Sequence, residues 1–313
     1  MNPKKPVLRT KNILSLRELS RMELLSLLDA AEDVKKNPWL YKDALAGKTL
    51  AMIFQKPSTR TRLSFEVGML ELGGRAIYLR GDELQLGRGE ALKDTALVMG
   101  RYVDAIMARV FRQEDLEELA RYSEVPVING LSDKWHPCQI LADLQTIREK
   151  LGGFEGRRLA WIGDGNNVCN TLLIGCAKVG MDMVVACPRG YWPLEEALQE
   201  ARKEAQASGS KIWIVEEPVE AVKDADVVYT DTFVSMGSEA EREDRLRTFL
   251  PKYRVTEDLM KEAKERAIFM HCLPAHRGEE VTDEVLDGPR SVVFDQAENR
   301  LHGQKALLYA LLA

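Results

Sequence analysis

Hydroxyls and guanidiniums crowd into one short stretch of this sequence: Ser58, Thr59, Arg60 and Thr61, with Arg62 directly after them. Before them lie an apolar run at 50–54 and then Pro57. Such a run suits a buried parallel strand, and Ser58 is well placed to cap a helix. Leu63, Val67 and Leu70 are spaced four and then three residues apart, which predicts one inward-facing helix face. The hydroxyls therefore sit on the first turn of a helix leaving a strand. That turn offers unpaired backbone N–H groups and the positive end of the helix dipole. With Arg60 and Arg62 added it could hold a phosphate dianion. The competing reading is an ordinary capped helix with solvated arginines.

Other groups could act nearby. His136 precedes Pro137 at an expected helix start, where the dipole keeps an imidazole neutral and able to hydrogen-bond a carbonyl oxygen. A capping histidine is the plainer alternative. Gln139, one turn on, could bind an NH2 group. Residues 163–167, Gly-Asp-Gly-Asn-Asn, follow an apolar run but lack the third glycine of a dinucleotide loop, so nicotinamide binding is disfavoured. Cys272 follows His271, yet neighbours on a strand face opposite ways, so His271 is a poor base for it. A thiol lining a ligand site fits better than a covalent nucleophile. Asp231 and Asp164, at expected strand ends, could bind an ammonium group. Arg300 matters only if its helix returns to the first domain.

These groups need elements to carry them. A helix is expected from near Ser20, with Leu24, Leu25 and Leu28 inward. Strands are expected at 50–54, 75–79, 104–108 and 125–128, with helices at 90–101 and 114–122 between them and a long helix opened by 135–139 and running through 150 after them. After a glycine-rich hinge at 151–156 the pattern restarts, with strands at 158–162, 183–187, 211–215, 226–229, 267–270 and 291–294. A terminal helix is expected at 297–312, with Leu301, Leu308 and Leu312 on its apolar face. Residues 232–252 are too polar and too long for a turn, and predict a lid carrying a helix. Five-residue strands alternating with helices imply βαβ units: an α/β protein of two domains, each a mainly parallel sheet flanked by helices. The boundaries are 1–150 with 297–313, and 151–296. Ligands of such sheets sit at the carboxyl ends of strands, where Ser58–Arg62, Arg109 and His136 all fall.

Composition narrows the class. With 44 basic and 49 acidic residues the net charge is −5, which argues against a general nucleic-acid binder. No apolar run approaches the roughly 20 residues of a membrane span, and no apolar segment follows the basic N-terminus, so neither a membrane partner nor a signal peptide is expected. Five cysteines without a CxxC pair suggest reduced thiols in a cytoplasm. Four histidines without HxH or HExxH spacing make a metal site unexpected.

Four segments together resemble the motifs of ornithine carbamoyltransferases: Lys56-Pro-Ser-Thr-Arg-Thr-Arg62, His136-Pro-Cys-Gln139, Asp231-Thr-Phe-Val-Ser-Met-Gly237 and His271-Cys-Leu-Pro274. The similarity runs from about residue 10 to 312. The first two are shared with the wider transcarbamoylase family, and the last two point to ornithine as acceptor. The resemblance implies transfer of the carbamoyl group of carbamoyl phosphate to L-ornithine, giving L-citrulline and phosphate. It implies no metal and no cofactor, a C-terminal helix crossing back to the first domain, and a homotrimer or an assembly of trimers. By the same resemblance Ser58, Thr59, Arg60 and Thr61 would hold the phosphate. Arg109 and His136 would polarise the carbonyl, Gln139 would hold the NH2, and Arg300 would reach the carbamoyl oxygen. Gln85 would reach a neighbouring subunit's site. Asn167, Asp231, Ser235 and Met236 would grip ornithine, and Cys272 and Leu273 would line the carbamoyl group and the path of the δ-amine. Phe233 stands where many members carry tryptophan, a conservative change at a packing position. Rival acceptors are putrescine, N-acetylornithine and aspartate. The aspartate form would want a basic residue in the 80–89 loop, where Arg88 stands, but Asp231 favours a cationic acceptor. A silent amino-acid sensor is the remaining rival, and no candidate position looks chemically disabled.

Overall fold

A capping box starts the first helix, α1 (Arg21–Lys36): the Ser20 side chain accepts from the Glu23 N–H, and Glu23 accepts from the Ser20 N–H at 2.8 Å. The computed structural model describes residues 4–84, 89–235, 237 and 239–313. The chain forms two units, Met1–Gln145 with Glu298–Ala313, and Thr146–Ala297.

In the first unit α1 is followed by β1 (Thr49–Phe54), α2 (Thr59–Glu71), β2 (Arg75–Arg80), α3 (Leu92–Met99), β3 (Ala105–Arg109), α4 (Gln113–Tyr122), β4 (Val127–Leu131) and α5 (Pro137–Leu151). The strands form a parallel sheet in the order β2-β1-β3-β4. The chain leaves β1 toward β2 and returns on its other side as β3. The crevice beyond β1 and β3 is thus the switch point at which such sheets bind ligands. Phe54 pairs with Arg109, so β1 feeds Ser58 and Arg60 into the same rim that Arg109 closes. Leu50, Met52, Ile106 and Met107 are fully buried beneath it, each stabilising the unit by about 1.5–3 kcal/mol.

The expected inner face of α2 is not the observed one. Leu63 and Leu70 are 54% and 72% exposed, whereas Thr61, Ser64, Phe65, Gly68 and Met69 are buried. Spacing is the same on both faces. The choice falls to a second helix that packs on the small and polar one: a side chain at Gly68 would press on Lys305 at 3.3 Å.

The second unit runs β5 (Arg158–Ile162), α6 (Asn167–Val179), β6 (Asp182–Ala186), α7 (Glu195–Ser208), β7 (Ile212–Val215), α8 (Pro218–Val222), β8 (Val227–Thr230), α9 (Arg242–Phe249), α10 (Glu257–Lys261), β9 (Ile268–His271), α11 (Asp283–Leu286) and α12 (Val293–Leu312). Its parallel order is β7-β6-β5-β8-β9, with the switch between β5 and β8, where Ile162 pairs with Thr230. The expected strand at 291–294 is absent. Ser291 makes only an isolated bridge to Phe269, and Val293 already opens α12. The expected excursion at 232–252 does carry a helix, α9.

From Glu298 onward α12 belongs to the first unit, the return that the family resemblance implies. There Lys305 pairs with Glu71 at 2.6 Å, Lys35 with Asn299 at 2.8 Å, and the Tyr41 and Tyr309 rings meet edge-on at 5.1 Å. No described helix is long and apolar enough to cross a membrane.

Candidate active site

The rim of the first unit is built by three helices. Ser58 caps α2, its hydroxyl accepting from the Thr61 N–H at 3.3 Å and donating to Thr61 Oγ1 at 3.1 Å. From α12, Arg300 donates to Gln139 Oε1 at 2.8 Å, to Thr61 Oγ1 at 3.3 Å and, through Nε, to Gln304 Oε1 at 3.0 Å. Gln304 donates in turn to Ser64 Oγ at 2.8 Å, and Ser64 to the Arg60 carbonyl at 2.6 Å. The other end of the Gln139 amide donates to buried Asp143 at 2.8 Å. This chain of bonds fixes the Arg300 fork in a buried place. Arg109, His136, Gln139 and Arg300 are each at most 5% exposed. Burial holds the His136 imidazole well below its usual pKa, and the charges of Arg300, Arg109 and Arg60 depress it further. It is therefore a neutral hydrogen-bonding group among cations at neutral pH.

Arg62 departs from expectation. Its guanidinium lies 4.0 Å over the Tyr78 ring and pairs with Glu66 at 3.2 Å, so it is committed outside the rim. Gln85 lies outside the described residues, as does Met236.

In the second unit, Asn166 caps α6. Its oxygen accepts from the Val168 and Cys169 N–H groups at 3.0 and 3.1 Å, while its NH2 donates to Asp231 at 2.8 Å. Asp231, at the end of β8, also accepts from the Thr232 N–H at 2.8 Å and from the Cys272 thiol at 3.0 Å. Cys272 thus addresses Asp231, and His271 is engaged elsewhere: its Nδ1 accepts from the Leu273 N–H at 2.8 Å and its Nε2 faces Glu280 at 3.2 Å. Asn167 opens α6 half-buried, and Ser235 is half-buried beyond β8. Asp164 does not wait for an ammonium group, because it is bound by Arg245. Burial pushes Asp164 up to about 6, against the pull of Arg245. Arg245 also donates to the Phe233 carbonyl at 2.6 Å and lies 4.9 Å over the Tyr191 ring, so with Asp164 it ties α9 to the segments after β5, β6 and β8. Phe233 is buried and stacks on Phe249 at 4.7 Å.

Ser64, Gln304 and Arg245 escaped the sequence reading, and so did the capping role of Asn166, whose expected part was a hydrogen-bond partner or turn former. That cap could have been found, since an asparagine before an apolar helical run is a cap signal. The other three act through partners far away in sequence, and no spacing announces them.

Two family models cover most of the chain: the aspartate/ornithine carbamoyltransferase carbamoyl-P binding domain over residues 11–149, and the Asp/Orn binding domain over 155–311. The chain belongs to the aspartate/ornithine carbamoyltransferase family. Within it, the ornithine carbamoyltransferase of Bacillus subtilis is 55% identical over 96% of this chain and 94% of its own. The anabolic ornithine carbamoyltransferase of Pyrococcus furiosus is 55% identical over 95% of both chains. The solved Pyrococcus furiosus ornithine carbamoyltransferase superposes with a TM-score of 0.94 at 53% identity, over 99% of each chain. This carbamoyltransferase fold includes the two parallel sheets and the helix returning to the first unit.

Proposed function

We propose that the chain transfers the carbamoyl group of carbamoyl phosphate to the δ-amine of L-ornithine, giving L-citrulline and phosphate. The observation that carries this reading is the Arg300 fork held on Gln139 and Thr61, beside the Ser58-capped start of α2. It joins three helices at a cationic, buried strand-end rim suited to a dianion and a carbonyl. Ser58, Thr59, Arg60 and Thr61 hold the phosphate. Arg109, His136 and Arg300 meet the carbonyl oxygen, and Gln139 takes the NH2. Cys272 and Leu273 line the carbamoyl group and the incoming amine. Asn167, Asp231, Ser235 and Met236 grip the α-amino and α-carboxylate groups of ornithine, and Gln85 serves a neighbouring copy.

The neutral δ-amine attacks the carbonyl carbon. A C–N bond forms, the carbonyl oxygen gains negative charge, and fixed donors stabilise it. The C–O bond to phosphate then breaks, and phosphate leaves with the electron pair and the proton that the amine gives up. Neutral His136 donates a hydrogen bond without needing protonation. Holding both substrates in line supplies much of the remaining acceleration. The anabolic relative supports a role in arginine synthesis. We assign a cytoplasmic location, supported by five cysteines without a disulfide. We also assign a homotrimer or an assembly of trimers, an assignment that rests on the family resemblance.

The test is an assay with carbamoyl phosphate and each amine in turn. Citrulline from ornithine, with little product from putrescine, N-acetylornithine or aspartate, is the expected outcome. Preference for another acceptor overturns the assignment.

A further inference from the structure

A tight turn in the second unit gathers one imidazole and two carboxylates. The Glu279 N–H donates to the His276 carbonyl at 2.9 Å and the Gly278 N–H to the Val281 carbonyl at 2.8 Å, with Gly278 at a φ of +85° that favours glycine. One ligand atom from each of His276, Glu279 and Glu280 lies within 4.8 Å of the others. Each carboxylate is occupied on one side. Glu279 Oε1 accepts from Arg242, while Oε2 is buried with no hydrogen-bond partner among the described residues. Glu280 is fully buried, and its Oε1 accepts from the His276 N–H at 2.5 Å and faces His271 Nε2 at 3.2 Å. Glu280 Oε2 likewise has no hydrogen-bond partner there, and lies 3.8 Å from His276 Nδ1.

Buried carboxylate oxygens are ordinarily paired. Here Glu280 Oε2 lies 3.8 Å from His276 Nδ1, a Glu279 oxygen completes the group within 4.8 Å, and Arg242 offsets only one of the two charges. Because its Nδ1 accepts from the Leu273 N–H, His271 carries its proton on Nε2 and donates to Glu280. Arg242, His271 and the His276 N–H therefore orient the ligands from behind, as outer partners do around bound metals.

We infer that His276, Glu279 and Glu280 form a binding site for one divalent transition-metal ion with a preference for nitrogen and oxygen, such as Mn(II), Co(II) or Zn(II). Ligands at about 2.1 Å from a common ion sit roughly 3.0–3.5 Å apart, so this turn must close by about 1 Å. The His276 side chain is 44% exposed, which gives the ion a way in. Its Nδ1 now shares a hydrogen bond with Thr232 Oγ1 at 3.0 Å, and an ion there takes that nitrogen over. Occupancy thus reaches the residue next to Asp231. The site is not part of the proposed transfer chemistry.

The test titrates Co(II) into the whole, chelator-stripped protein and follows its visible absorption. One ion per chain, with no thiolate-to-metal band, is expected. Binding should weaken at least tenfold in His276→Ala and in Glu279→Gln, and stay unchanged in Cys272→Ser. Melting curves without metal check that each variant is folded. Should Glu279→Gln fail to fold, His276→Ala decides, since its exposed ring supports little else. A thiolate band that vanishes in Cys272→Ser would place the ion on Asp231, His271 and Cys272 and overturn the proposal. Binding that ignores His276→Ala, or no stoichiometric binding, overturns it equally.

Discussion

In the first unit β1 and β3 end on Ser58, Arg60 and Arg109; in the second β5 and β8 end on Asn166 and Asp231. Both ends are switch points of parallel sheets and both open a helix. In the first, a single serine caps α2, and Arg109 and Arg300 add buried positive charge. In the second, Asn166 occupies two N–H groups of α6 and turns its NH2 to Asp231, so the helix start serves a carboxylate of the chain itself. One topology thus supports opposite local charge, and a few side chains at the strand ends decide which. A dianion suits the first and an ammonium group the second.

The largest expected effect comes from removing cationic donors. Arg109→Ala should cost on the order of 3–4 kcal/mol of barrier, about 10²–10³ in kcat, with an unchanged circular dichroism spectrum. Retained turnover would put the carbonyl elsewhere. Asp231→Asn keeps the shape and removes the charge. It should cost about 1.5–3 kcal/mol in kcat/KM for ornithine, while carbamoyl phosphate binding measured without ornithine stays as it was. Equal losses for both substrates would erase the contrast between the units.

Titration sharpens the contrast further. His136 has a folded pKa below its unfolded value of about 6.5. The unfolded chain therefore binds the extra proton first as pH falls. Its contribution to stability is present above about pH 6.5 and is lost below it, with a slope of at most about 1.4 kcal/mol per pH unit. Denaturant melts of His136→Gln should show a shallower acid loss than the parent. Asp164 is the reverse case: raised to about 6, it takes up a proton near there and loosens its hold on Arg245. Arg245→Ala should raise the KM for ornithine a few-fold at pH 8, and that difference should shrink below pH 6. A pH-independent difference would exclude the Asp164 pair as its cause. The smallest effect expected is none: chelators should leave the rate of citrulline formation unchanged, because the proposed mechanism routes no step through a metal.

Much of this was legible in the chain. The parallel α/β class, the helix at Ser58 and the strand end at Arg109 follow from short apolar runs, a cap and the turn residues, all local properties. The motif segments also carry polar residues to the strand ends of both sheets. What escaped was long-range. Leu63, Val67 and Leu70 have the spacing of a buried face, yet α12 buries the opposite side of α2. Residues 291–294 read as a strand by composition, but β9 already ends the sheet there and the segment turns into α12.

By itself the sequence determined which residues carry charge, which hydroxyls stand on a first helical turn, and which runs are apolar enough to be strands. The tertiary structure alone decided that Arg300 reaches Thr61 across 239 residues, that Arg62 is spent on Tyr78 and Glu66, and that Asp164 is held by Arg245. Periodicity and capping act over one or two turns. A guanidinium's partner depends on which distant backbone the packing brings within about 3 Å.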